Sequence, residues 1–207
     1  MDLIHTPTLL GDTVTLRPLS AGDVAALAAA ASESRATYVF IRVPDGVEEM
    51  ERYIETAFAD RDAGRRLPFV ILWRDRIVGS TSYLDVQRWR WPAGSPHQRT
   101  DRPDSVEIGS TWLAASAQRT RCNTEAKHLL LTHAFDGWDV YRVTLKTDER
   151  NAQSRRAIER LGARFEGLRR ADMPAPDGSV RTSAYYSIVR AEWPDVRQRL
   201  EDALTRV

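Results

Sequence analysis

One cysteine, Cys122, is all the thiol chemistry available in 207 residues. An intrachain disulfide is therefore excluded, which suits a reducing compartment. No apolar run approaches the roughly 20 residues that a membrane helix needs. The first residues, with Asp2, His5, Pro7 and Gly11, lack the basic stretch and apolar core of a secretion signal. Charge of one sign is missing too, since 30 Lys and Arg stand against 29 Asp and Glu. That balance gives no general case for nucleic acid or a membrane surface as a partner. Metal chemistry lacks its ligands: His5, His97, His128 and His133 show no metal-ligand spacing with carboxylates or with Cys122. No internal repeat or linker divides the chain. The expectation is one soluble, cytoplasmic domain over residues 1–207, without a metal.

What is present describes a folded protein, with 42% hydrophobic and 29% charged residues. Val14 to Arg17 alternates as a strand does, and Ser20-Ala21-Gly22-Asp23 resembles a capping box ahead of an alanine-rich helix through Ala31. Val47, Met50, Ile54, Ala57 and Phe58 keep helical spacing up to a stop at Gly64. Phe69 to Trp73 and Ile77 to Val86, joined through Arg74-Asp75-Arg76, predict a β-hairpin. Residues 87–104 have no period and mix Trp89, Trp91, His97 and prolines with arginines. This is a long loop of the kind that is often functional.

After that loop the pattern predicts strand Val106–Leu113, helix Asn123–Trp138, strand Tyr141–Thr147 and helix Ser154–Leu161 closed by Gly162. Two more strands, Arg164–Leu168 and Ala184–Val189, flank a Pro176-Asp177-Gly178 turn, and a last helix starts near Pro194. The order β-α-α-β-β-β-α-β-α-β-β-α implies an α/β sheet with at least one parallel crossover.

The junction between strand 106–113 and the helix at Asn123 carries the chemistry. A loop entering a helix N-terminus offers unpaired N–H groups and the positive end of the helix dipole. Gln118, Arg119, Thr120 and Arg121 occupy that loop, and two arginines there suit a pyrophosphate. A solvated loop that merely caps its helix is the other reading of the same residues.

Val106-Glu107-Ile108-Gly109-Ser110-Thr111-Trp112-Leu113, with Gln118 to Lys127 after it, resembles the acetyl-CoA-binding core of the GNAT superfamily, in its RimJ/RimL-type branch. Asn151-Ala152-Gln153-Ser154 and Glu159-Arg160-Leu161-Gly162-Ala163 are similar to that branch's next signature. The resemblance implies a GNAT fold: a mixed, mostly antiparallel sheet of about seven strands flanked by helices. It implies transfer of an acetyl group from acetyl-CoA, as cosubstrate, to an amine of a small molecule or a protein N-terminus. Homodimers are frequent in that family. Thr111, Trp112 and Leu113 would line the pantetheine arm. Gln118, Arg119, Thr120, Arg121, Cys122, Asn123 and Thr124 would hold the pyrophosphate, Asn151 would hydrogen-bond the pantetheine or acyl end, and Ser154 would sit near the sulfur. Where many members place a catalytic tyrosine this chain has Ile158, so Ser154 becomes the candidate proton donor. The family's phosphate loop has glycine where this chain has Arg121. That departure supports a second reading, a GNAT-fold binding module without catalysis, and leaves a third, a different acyl donor.

Glu107 interrupts an apolar strand. A carboxylate facing a cleft takes the proton from an ammonium so that the neutral amine can attack. A structural ion pair or a solvent-facing position is its plainer reading. Trp89, Trp91 and His97 are candidates for the acceptor pocket, with packing of the loop as their alternative. Cys122 has no histidine paired to it by spacing, and direct transfer needs no acyl-enzyme.

Overall fold

The computed structural model describes residues 6–205; His5 lies outside them. Thirteen regular elements follow one another: β1 (Leu9–Leu10), β2 (Val14–Pro18), α1 (Val24–Ser32), α2 (Gly46–Asp62), β3 (Arg66–Trp73), β4 (Arg76–Gln87), β5 (Ser105–Leu113), α3 (Cys122–Thr132), β6 (Arg142–Asp148), α4 (Ala152–Arg160), β7 (Arg164–Pro174), β8 (Val180–Val189) and α5 (Trp193–Thr205). All eight strands form one sheet in the order β1-β2-β3-β4-β5-β6-β8-β7. Every neighbouring pair is antiparallel except β5 with β6. The eighth strand is β1, two residues paired to β2 and too short to leave an alternation in the sequence.

Local chemistry explains the junctions. Arg74 and Asp75 both take positive φ, 51° and 63°, as a two-residue hairpin turn requires. Asp23 accepts the Ser20 N–H at 2.8 Å and pairs with Arg17, and a short 3₁₀ turn over Ala21–Asp23 precedes α1. The long helix expected from Asn123 to Trp138 divides: α3 ends at Thr132 and a π turn covers His133–Gly137, with the Trp138 N–H on His133 O at 3.0 Å. Strands β7 and β8 run past the lengths expected from sequence, joined across Ala175–Ser179. Most of β7 is exposed, so no inward–outward pattern marks its length.

The sheet has two faces with different cover. Helices α1 and α2 pack on β3 and β4 from one side, and α3 with α5 packs from the other. Between them lie Leu16, Phe69, Ile71, Tyr83, Ile108 and Leu130, all fully or nearly buried. Each such side chain contributes about 1.5–3 kcal/mol on burial. The Tyr83 hydroxyl donates to Leu130 O, which assigns Tyr83 and Thr81 to the α3 face. Ser80 and Ser82 therefore face α2, where Tyr53 meets Ser80 at 2.8 Å.

Candidate active site

Strands β5 and β6 pair at Ser105↔Arg142, Val106↔Val143 and Glu107↔Thr144, and there the ladder stops. Both strands continue, to Leu113 and to Asp148, so a wedge opens beyond Glu107. Ser110 has φ 49°, and the register between β4 and β5 shifts between Ser80 and Ser82. That bulge turns the backbone of β5 where the wedge begins.

At the mouth of the wedge stands the N-terminus of α3. Its Cys122 N–H is taken by Thr120 Oγ1 at 3.1 Å, and its Glu125 N–H by Arg121 O at 2.9 Å. The N–H groups of Asn123 and Thr124 are left for another acceptor. Trp112 adds a buried indole N–H without an acceptor among the described residues. An unpaired strand edge, an orphan donor and a helix N-terminus along one path fit an anionic ligand with an amide-bearing arm. Asn151 and Ser154 begin α4 just after β6, and Asn151 Oδ1 accepts the Ser154 N–H at 3.0 Å. Asn151 is thus the helix cap, while the Ser154 hydroxyl makes no hydrogen bond among the described residues.

Several expected phosphate ligands spend their side chains elsewhere. Gln118 Nε2 donates to Thr37 Oγ1 and Leu113 O, at 2.9 and 2.8 Å. Arg121, the residue that caps α3, donates to Leu204 O at the end of α5. Arg119 is exposed at φ 59°. The Cys122 thiol is buried in the core, and burial first, then Glu125, pushes its pKa up to about 12. Its contribution to the loop is the backbone. Thr111 Oγ1 meets Thr81 Oγ1 at 2.8 Å and Lys127 Nζ at 2.6 Å. Leu113 O is also bound by the Tyr38 hydroxyl at 2.9 Å.

Glu107 marks the closed end of the wedge. Its carboxylate is 6% exposed and 3.1 Å from Lys146 Nζ. A Cβ on Gly109 would stand 2.8 Å from Glu107 Oε1, so the absent side chain leaves room for the carboxylate. Ser82 pairs with Gly109, which puts Glu107 on the α2 face of the sheet. Burial raises the Glu107 pKa, and Lys146 pulls it back in part. For Lys146 burial works against the charge, but the Glu107 carboxylate more than offsets it and the pKa is raised. The β8 residue opposite Lys146 is Tyr185, whose ring lies 5.6 Å from Nζ. Its hydroxyl is 3.4 Å from Asp172. Tyr186 points the other way, to Arg155 and Glu159 of α4.

Trp89, Trp91 and His97 are brought together by a residue that sequence reasoning passed over, Tyr141. Trp89 stacks on it at 5.5 Å, and His97 Nδ1 meets its hydroxyl at 2.9 Å. Asp104, fully buried, accepts from Trp89 N, Trp91 Nε1 and Arg99 Nε. The three rings spend much of their surface on this knot at the start of β5 and β6. Lys146 was also missed; its signal was the polar alternation Arg142, Thr144, Lys146, Asp148. Among the described residues no group of three or more His, Cys, Asp or Glu is arranged around a metal position, and no helix is long and apolar enough to cross a membrane.

Comparison with known proteins bears on the fold and the family. The family model of the GNAT acetyltransferase domain matches residues 13–164. A GCN5-related N-acetyltransferase from Brucella melitensis superimposes with TM-score 0.82 at 26% identity, covering 99% of this chain and 88% of that one. An acetyltransferase structure from T. thermophilus gives 0.78 at 31% identity, over 95% and 96%. RimL, the ribosomal L7/L12 α-N-protein acetyltransferase in complex with coenzyme A, gives 0.69 at 18%, over 88% and 98%. Comparison with curated proteins gives no match. The eight-stranded sheet, its single parallel pair and the domain match together make this chain a member of the GNAT acetyltransferase family, an N-acetyltransferase that depends on acetyl-CoA.

Proposed function

We propose that Glu107 is the general base of this N-acetyltransferase and that the acceptor is a small-molecule amine or a protein N-terminus. The observation that carries the proposal is the placement of the Glu107 carboxylate at the closed end of the wedge, beside Lys146 and over Gly109. Acetyl-CoA, when bound, supplies the thioester carbonyl that an amine attacks. The residues that would hold it are the backbone of Thr111, Trp112 and Leu113, the N–H groups of Asn123 and Thr124, the indole of Trp112, and Asn151 through the side-chain nitrogen its cap leaves over. Arg119, Thr120 and the backbone of Arg121 and Cys122 complete the loop, and Gln118 braces it.

Glu107 would accept the ammonium proton, directly or through water, and its raised pKa brings it closer to the working pH of a base. Lys146 orients the carboxylate. Ser154 would hand a hydrogen bond or proton to the departing sulfur from a hydroxyl with no other engagement. Trp89, Trp91 and His97 belong to the acceptor side of this reading, at the end of the sheet nearest Glu107.

The proposal includes one catalytic domain over residues 1–207, working in the cytoplasm, with a homodimer as an assembly the resemblance implies. The sheet that spans the described residues supports the first of these. Arg121 favours the non-catalytic reading less than its position suggests, because its guanidinium turns to Leu204. Calorimetric titration with acetyl-CoA and with CoA, followed by a screen of amine acceptors for thiol release, tests the function. Binding of CoA with no release of thiol over a broad set of amines would sink the catalytic reading.

A further inference from the structure

Seven charged residues among those described are buried. Four of them are acids paired with a cation: Asp23 with Arg17, Asp104 with Arg99, Glu107 with Lys146 and Asp148 with Arg150. Glu125 is an acid held by the N–H groups of Thr13 and Val14 and by the Thr13 hydroxyl. The remaining two are cations, Lys127 and Arg66, each 6% exposed. No carboxylate of the described residues lies within 4.0 Å of either. Lys127 relieves the problem by itself, since burial pushes its pKa down to about 7 and the amine can shed its proton. A guanidinium cannot do this.

Arg66 lies on the α2 face. Its Nε donates to Ser82 Oγ at 2.7 Å and its Nη2 to the Tyr53 hydroxyl at 2.6 Å, with the guanidinium over the Tyr53 ring at 5.0 Å. Both partners are neutral, so the charge stays uncompensated. Ser82 is the register partner of Gly109, over which the Glu107 carboxylate hangs. Arg66 pairs with Leu84 and Leu84 with Glu107, so Arg66 and Glu107 lie in one row on the same face, two strand spacings or roughly 10 Å apart. A fork-shaped cation held out of water by neutral hydroxyls is suited to a carboxylate, which offers two acceptors in one plane.

We infer that Arg66 binds a substrate carboxylate on the same face as Glu107, two strands away from it, carried either by the acceptor amine or by the acyl group of the thioester. The inference rests on the wedge being the transfer site with Glu107 at its end. It adds a specificity that the site residues named above do not supply. A carboxylate there gains a charge-assisted pair, and a neutral isostere leaves the buried charge unmatched.

Two pairs of binding isotherms test it and separate the sources. The acceptor arm compares 4-aminobutyrate with its amide in the presence of CoA. The acyl arm compares succinyl-CoA with butyryl-CoA. The expected result is a preference of roughly 10–100-fold for the charged member in one arm, the range of a hydrogen bond to a charged group. Arg66→Met should abolish that preference with CoA affinity unchanged. If Arg66→Met does not fold, Arg66→Lys keeps the charge but loses the fork, and the preference should fall at least several-fold. Equal binding of charged and neutral members in both arms overturns the inference, as does a preference that survives in Arg66→Lys. Acyl transfer is scored separately over amines with and without a carboxylate, so its absence in both sets counts against the catalytic reading while the isotherms alone decide Arg66.

Discussion

Strands β3 and β6 lie on either side of the β4–β5 pair in the sheet order and are built on opposite rules. From Arg66 to Ile71, β3 is buried without interruption, because α2 covers one face and the α3 layer the other. In β6 the burial alternates: Val143, Leu145 and Thr147 turn inward, while Arg142, Thr144 and Lys146 stay half-exposed. On that polar side Lys146 meets Glu107, Arg142 meets Glu166, and Tyr185 meets Asp172. The lesson is that the candidate site lies where the sheet changes from two covered faces to one. The seam between β5 and β6 is also the parallel pair and the place where the ladder gives out. A substrate bound there, as proposed, would meet a covered wall on one side and a charged floor on the other.

The sharpest way to break this comparison is at the seam. Glu107→Gln should lower kcat by about 10²–10⁴-fold, the usual contribution of a general base, with little change in CoA affinity. Because the folded pKa of Glu107 is raised, the wild-type rate should fall as pH drops through it, so the deficit of the variant narrows toward low pH. A pH–rate profile of both proteins checks this; parallel profiles would make Glu107 structural.

On the covered side, Lys127 should matter for stability. Its folded pKa near 7 lies below the ordinary lysine value of 10.5, so the unfolded chain binds more protons between those values. Stability should therefore rise with pH from about 7 to 10, and the cost of the buried amine is fully present below pH 7. Lys127→Met should flatten that rise, an effect on the order of a few kcal/mol at about 1.4 kcal/mol per pKa unit. Denaturant melts at about pH 6 and about pH 9.5, outside and inside that window, measure it, and an unchanged slope refutes it.

A smaller effect separates the two uses of Ser154. Its N–H serves the Asn151 cap, which alanine keeps, so Ser154→Ala should leave the melting temperature nearly unchanged. If the hydroxyl serves the departing sulfur, kcat should drop roughly 10-fold, toward the lower range for hydrogen bonds to charged groups, with KM for acetyl-CoA little altered. Wild-type kcat in this variant removes Ser154 from the chemistry. The least effect is expected at Arg121. Arg121→Ala releases a contact with the end of α5 and should change stability by about 0.5 kcal/mol or less. CoA affinity should fall less than in Arg119→Ala, and titration of the two variants decides the order.

The element order was legible because most elements carry an unbroken period or a turn signal, as Phe69 to Trp73 and the Arg74-Asp75 turn do. What escaped were elements without a period: the two residues of β1, the exposed far half of β7, and the π turn at His133. In the site, Glu107 could be singled out from its polar intrusion into an apolar strand. Its counter-charge, Lys146, showed only as part of the polar alternation of β6, and nothing local links it to a residue 39 positions away. The loop arginines show how little sequence says of side-chain direction. Their charge and position pointed to phosphate, but side-chain direction is set by tertiary neighbours, and Arg121 found a helix end instead. Arg66 stands two residues past the Gly64 stop, and nothing in its local sequence marks a buried cation.

The burial of Cys122 has a practical side. Its thiol, the chain's own sulfhydryl, is 0% exposed with a pKa pushed to about 12, so in folded protein it scarcely forms thiolate. A disulfide dye that reports released CoA should therefore see almost no signal from the enzyme, even at the high protein concentrations a slow acceptor demands. The same inertness makes the chain a clean background for labelling. A cysteine introduced at exposed Val39, between α1 and α2, would react alone and place a probe on that connecting loop without first removing the native residue.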